Sequence, residues 1–227
     1  MRVLAIDTAL EVCAAAVLDT EHGVLARESK PMARGHAEAL MPLIRRVMDR
    51  SGYGFSDLHR FAVTVGPGSF TGLRVGIAAA RGLALASGKE AVGLTTLSAF
   101  AAPLMAGDDV TPVVSVIDAR HEHVYVHVVG AGGRTLVPPR VAPLREAVRV
   151  CSTGRAPRLV GNAASLLAAR WPAGERAPVQ VEQRPAPDID WVARLGAAAP
   201  EHSGPPKPLY LRAPDAQPQN GAQLPRR

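Results

Sequence analysis

RVLAIDTALEVCAAAVLDTEHGVLARESK, residues 2–30, is the stretch whose pattern decides the fold. RVLAIDT is a short apolar run that stops on polar groups, CAAAVLDT is a second, and GVLARESK is a third with alternating character. Runs of roughly four to eight such residues, bounded by turn formers, read as strands, and Asp19 to Gly23 suits a hairpin. Three adjacent strands therefore open the chain. From His36 to Arg50, the residues Ala37, Leu40, Met41, Ile44, Val47 and Met48 recur at helical spacing, with Pro42 in the early turns or at a kink. A strand at Phe61 to Val65, a helix at Ser69 to Ser87 behind a glycine-rich loop, and a strand at Ala91 to Leu94 come next. A helix from Thr95 or Thr96 through Met105 completes the order βββαβαβα.

The pattern then partly repeats. VVSVID ends in aspartate as the first strand does, HVYVHVVG alternates like a second strand, and RTLVPPR supplies a third. Helices are expected at Pro143 to Val150, Ala163 to Trp171 and Ile189 to Ala198. This is a duplicated α/β unit with a degraded second copy. Of the twenty prolines, fifteen lie beyond Gly130, which predicts shorter, looser elements there. The expected domains are 1–106, 107–212 and a disordered tail at 213–227.

A chain of 227 residues can bury roughly 70% of its surface, so its stability requires neither disulfides nor a structural metal. Cys13 and Cys151 form no framework and are expected to be buried. The longest early apolar run closes at Asp7, which argues against a signal peptide or membrane span and for a cytoplasmic setting. The net charge of +6 invites a nucleic-acid reading. Met1 to Gly130, however, carries 12 basic and 13 acidic residues, and Ala131 to Arg227 carries 14 and 7. All of the excess lies in the second half, so the expected link to nucleic acid is indirect.

GPGSFTGLRVG, Gly66 to Gly76, joins a strand to a helix. Gly66, Gly68 and Gly72 permit positive φ or close backbone approach. Ser69, Thr71 and the amides of the helix start can hold an anion, with Arg74 one turn inside. The competing reading is that the glycines only let the helix press on the sheet. Neither a Walker loop nor a G-x-S-x-G elbow is present. Asp7-Thr8 and Asp118-Ala119-Arg120 close equivalent strands, where phosphate-transfer folds place metal-holding carboxylates, although aspartate also caps turns. His121, His123 and His127 share one strand face, but a solvated face outweighs a metal site there.

The helices carry a further signal. With Leu43 the apolar stripe on the His36 helix spans about 160°, wider than the ~100° needed for one core. The next helix carries Gly72, Gly76, Ala79, Ala80 and Ala86, small residues that let another backbone approach. Simple packing of the two helices on each other is the rival reading. The favoured one is a partner interface of His36, Leu40, Met41, Leu43, Ile44, Val47, Gly72, Val75, Gly76, Ala79, Ala80 and Leu83.

MRVLAIDTALEVCAAAV, GHAEALMPLI, GPGSFTGLRVGIAAARGLALA, VGLTTLSAFA, IDAR with VY following, and PKPLYLR together resemble the TsaB family, over roughly residues 1–212. These are non-catalytic partner subunits of bacterial threonylcarbamoyladenosine synthesis on tRNA. The resemblance implies a duplicated actin-like (ASKHA, ribonuclease H-like) α/β fold of two small lobes, the second reduced. It implies pairing with a catalytic TsaD subunit through the first-lobe helices, a TsaE-like ATPase docking on the pair, and a homodimer when the chain is alone. It also implies no catalytic residue and no firmly bound cofactor in this chain, with ATP and magnesium used by the partners. The catalytic branch holds a metal with two histidines four apart, where this chain reads TTLSAFAAP; and His123 stands where relatives have glutamate. Asp7, Thr8, Gly68, Ser69 and Asp118 then look like relics or weak anion contacts. The alternative is a small ATP-dependent phosphotransferase or hydrolase using Asp7 and Asp118 around magnesium.

Overall fold

The computed structural model describes residues 1–107, 110–201 and 204–212, so the expected tail at 213–227 lies outside the described residues. β1 (Arg2–Asp7), β2 (Val12–Asp19) and β3 (Gly23–Pro31) form an antiparallel meander in which Leu4 faces Val17 and Val17 faces Ala26. β4 (Arg60–Gly66) lies parallel to β1, and β5 (Glu90–Thr95) lies parallel to β4, giving the order β3-β2-β1-β4-β5. β1 from Val3 onward and all of β2 are buried, because helices cover both sheet faces. That is why CAAAVLD reads as continuous apolar sequence rather than as alternation.

α1 (His36–Ser51) and α2 (Phe70–Ser87) lie on the Leu4 and Ile6 face. α1 runs through Pro42, whose ring faces solvent, and stops where Gly52 takes φ 76°. α3 (Thr96–Gly107) follows β5 directly.

The second sheet repeats the first strand for strand. β6 (Val113–Asp118), β7 (His123–Val129), β8 (Thr135–Pro143), β9 (Arg158–Gly161) and β10 (Gln180–Gln183) run in the order β10-β9-β6-β7-β8. α4 (Leu144–Cys151), α5 (Ala164–Ala168) and α6 (Ile189–Ala198) stand in the places of α1, α2 and α3. The duplication is thus complete in topology and reduced in size, as an actin-like two-lobed fold. α5 is five residues long, not the longer helix expected to Trp171.

The third helix of each unit crosses to the other. α3 packs on β6, and α6 covers β1, β2 and β4, where Ile189, Val192 and Ala193 join Val3, Ala5 and Ala62 in one cluster. Residues 204–209 also return to β4 and β5. Packing therefore runs across the lobe boundary expected at residue 106. The first lobe is completed by the last helix and the segment after it, because α6 carries the apolar face that the back of the first sheet requires.

Candidate functional site

The glycine loop is packed by its own chain. Ser69 caps α2, its Oγ accepting from the Gly72 amide at 3.3 Å, while its own amide donates to the Ala9 carbonyl at 2.7 Å. A Cβ on Gly68 would lie 2.3 Å from the Ala9 carbonyl oxygen, on Gly72 2.1 Å from that of Thr8, and on Gly76 2.4 Å from Thr8 Oγ1. Thr8 Oγ1 in turn donates to the Gly72 carbonyl at 2.7 Å. The turn after β1 is thus packed directly on the loop and the start of α2, and the Ser69 and Gly72 amides are already bonded. Ser69, expected as an anion contact, serves as the cap of α2, Gly72, expected at the partner interface, is packed against Thr8, and Thr71 is exposed beside them.

The two strand-ending aspartates differ in kind. Asp7 is fully buried; its Oδ1 accepts from Thr64 Oγ1 at 2.5 Å and from the Ala9 amide at 3.1 Å, while Oδ2 has no hydrogen-bond partner among the described residues. Burial pushes its carboxyl above the usual range, against the pull of those bonds. Asp118 is exposed and closes a turn, its Oδ1 accepting from the Arg120 amide at 2.8 Å. Arg120, His121 and Glu122 all take positive φ in that turn. One carboxylate is sealed and the other caps a turn.

His127 is 5% exposed, so the expected solvated face is corrected at that position; burial lowers its pKa. His123 Nδ1 lies 2.7 Å from the His121 carbonyl. Burial pushes the Cys13 thiol up to about 11 and that of Cys151 to about 12, which removes nucleophilicity near neutral pH. Among the described residues, the metal-ligand types that cluster are Asp19, Glu21 and His22, and Asp19 is already bound by Arg2 and the Glu21 amide.

The expected interface residues divide into two sets. Leu40, Leu43, Ile44 and Val47 are at most 1% exposed and pack against the first sheet, and His36 is buried with Nε2 3.1 Å from the Leu10 carbonyl. Gly72, Gly76 and Ala80 are buried as well. These are core, because the wide stripe of α1 meets both the sheet and α2. Met41 is 47% exposed, and Val75, Ala79 and Leu83 are half-buried. Ala37 of the α1 stripe and Ala86 of the small-residue set are exposed too, as are four residues the spacing argument missed, Phe70, Ala78, Gly82 and Leu85 on α2, with Leu85 84% exposed. The missed signal is that α2 carries only Arg74 and Arg81 as charges, so its outward side is apolar too.

A family model described as TsaD: tRNA N6-adenosine threonylcarbamoyltransferase matches residues 21–151. An uncharacterized protein of Mycobacterium bovis is 33% identical over 219 residues, covering 95% of this chain and 94% of that one. The tRNA threonylcarbamoyladenosine biosynthesis protein TsaB of Escherichia coli is 37% identical over 125 residues, covering 55% and 53%. The structure of YeaZ from Pseudomonas aeruginosa superposes with a TM-score of 0.79 at 26% identity, covering 92% of this chain and 99% of that one. The chain belongs to the TsaB/YeaZ family. Its match to the curated TsaB proteins spans about half of their length, whereas the TsaB/YeaZ fold is matched over nearly all of it. In this TsaB-family chain the segment TTLSAFAAP runs from the last residue of β5, Thr95, into α3, with Thr96, Leu97, Ala99 and Phe100 buried. No described helix is long and apolar enough to cross a membrane.

Proposed function

We propose that this TsaB-family chain serves threonylcarbamoyladenosine formation on tRNA as a partner subunit that supplies no catalytic residue. It docks on a TsaD-like catalytic subunit through the outward face of α1 and α2. The observation that carries this reading is the apolar, small-residue surface of Met41, Ala78, Gly82, Leu85 and Ala86. A helix that is apolar on its solvent side has burial still available to it, and small side chains let a second helix approach closely. Supporting it, the inner ends of the strands hold a sealed aspartate and a packed glycine loop rather than an open phosphate site. ATP and magnesium belong, on this reading, to the partners, including a TsaE-like ATPase on the assembled pair. Alone, the same face makes a homodimer, and the setting is cytoplasmic.

Burying one Leu or Met side chain contributes about 1.5–3 kcal/mol. Charging both Met41 and Leu85 should therefore weaken association by on the order of a hundredfold or more. The test is co-purification of the full chain with a TsaD-like subunit. Met41→Glu with Leu85→Glu should lose the partner and keep its own melting temperature. Full retention of the partner would exclude this face.

A further inference from the structure

We propose that the crevice at the carboxyl ends of β4 and β5 is a peptide-binding site, which the chain fills with its own residues 204–212. In open α/β sheets this end of the strands is where ligands bind. Between Thr64 and Gly66 the register of β4 against β5 slips by one residue, which turns Val65 out of the ladder. Its carbonyl accepts from the Leu209 amide at 2.7 Å. The floor of the crevice is shaped to the segment. A Cβ on Gly66, where φ is 115°, would lie 2.9 Å from the Leu209 carbonyl oxygen, and one on Gly93 would lie 2.6 Å from Val65 Cγ1 and 3.2 Å from Pro206 Cβ.

The segment itself, GPPKPLYLR, suits such a site. Its three prolines hold an extended backbone that loses little entropy on docking, and they remove donors that would otherwise need partners. The far end is gripped by side chains. Tyr210 stacks on Phe70 with centroids 5.5 Å apart, the Arg74 guanidinium lies 3.7 Å over Phe70, and Arg74 Nε donates to the Tyr210 hydroxyl at 3.1 Å. Arg212 then reaches the other lobe, donating to the Ala119 carbonyl at 3.3 Å. A cavity of about 350 Å³ remains beside the segment, lined by Val65, Gly93 and residues 204–207. Any other occupant of this crevice has to displace the segment first. The inference is independent of the docking reading above.

The experiment uses the full chain and its Leu209→Asp and Tyr210→Ala variants, with a labelled synthetic GPPKPLYLR peptide as probe. In the unaltered chain the Leu209 amide should exchange at least a hundredfold more slowly than in the free peptide, and the probe should not bind. Leu209→Asp should lose that protection and take up the probe. Tyr210→Ala, at a half-exposed position, should do the same more weakly without affecting folding. An unprotected Leu209 amide in the unaltered chain would overturn the proposal. So would a folded Tyr210→Ala chain whose segment is released while the probe stays unbound.

Discussion

A methyl group added at Gly72 would meet the Thr8 carbonyl oxygen at 2.1 Å, whereas one added at Gly82 would meet nothing within 4 Å. Both residues lie in α2, so helix propensity favours alanine at each by about 1 kcal/mol, and only the neighbourhood differs. Gly72→Ala must push apart two backbones and should cost on the order of 1–3 kcal/mol in urea unfolding, while Gly82→Ala should gain about 1 kcal/mol. Asp7 permits a pH test. Because burial raises its folded-state pKa above the ordinary value, the cost of ionising it appears as pH rises through that folded value and is absent well below the unfolded one. Asp7→Asn should therefore melt higher than the parent at pH 7, with the gap closing toward pH 4. A gap that widens on acidification would show that the ionised form is the stabilising one. The glycine positions were legible in the sequence, but their purpose was not. Close approach by Thr8 and Ala9 comes from a segment sixty or more residues away for most of these pairs, and no local spacing encodes it.

At the scale of elements, periodicity found α1, α2 and α3 to within two residues at each end, and α6 at both ends, since each buries a regular stripe. It missed β9 and β10, each four residues long and without a long enough run to show a period. The stripe of α1 was read correctly as wide, yet its excess width meets α2 rather than a partner. That distinction predicts opposite behaviour on one helix. Leu40→Glu and Ile44→Glu place an unpaired charge in the core and should unfold the chain. Met41→Glu should leave thermal unfolding within about 0.5 kcal/mol of the parent. If Met41→Glu unfolds the chain as Ile44→Glu does, the outward assignment of that position is wrong.

Over the whole molecule, the duplicated strand order was visible from the two aspartate-ended openings, whereas the exchange of third helices between lobes was not. Either sheet could accept α6 by composition; only the three-dimensional complement decides. The charge asymmetry has a structural counterpart, because Arg134, Arg140, Arg145, Arg149, Arg155, Arg170 and Arg176 of the second lobe are all exposed. If this lobe holds tRNA phosphates in an assembled complex, replacing Arg140, Arg149 and Arg155 by Ser should lower RNA affinity. It should also flatten its dependence on salt by roughly 0.9 per lost contact, with subunit pairing unchanged. An unaltered slope would mark the arginines as compositional. The central claim, a docking subunit acting through α1 and α2, is tested most directly by measuring threonylcarbamoyladenosine formed on tRNA by the reconstituted subunits. The Met41→Glu, Leu85→Glu chain should give little product despite being folded, while Asp7→Asn should give product at the parental level. Full activity from the first together with loss from the second would contradict it, and would return the chemistry to the strand ends.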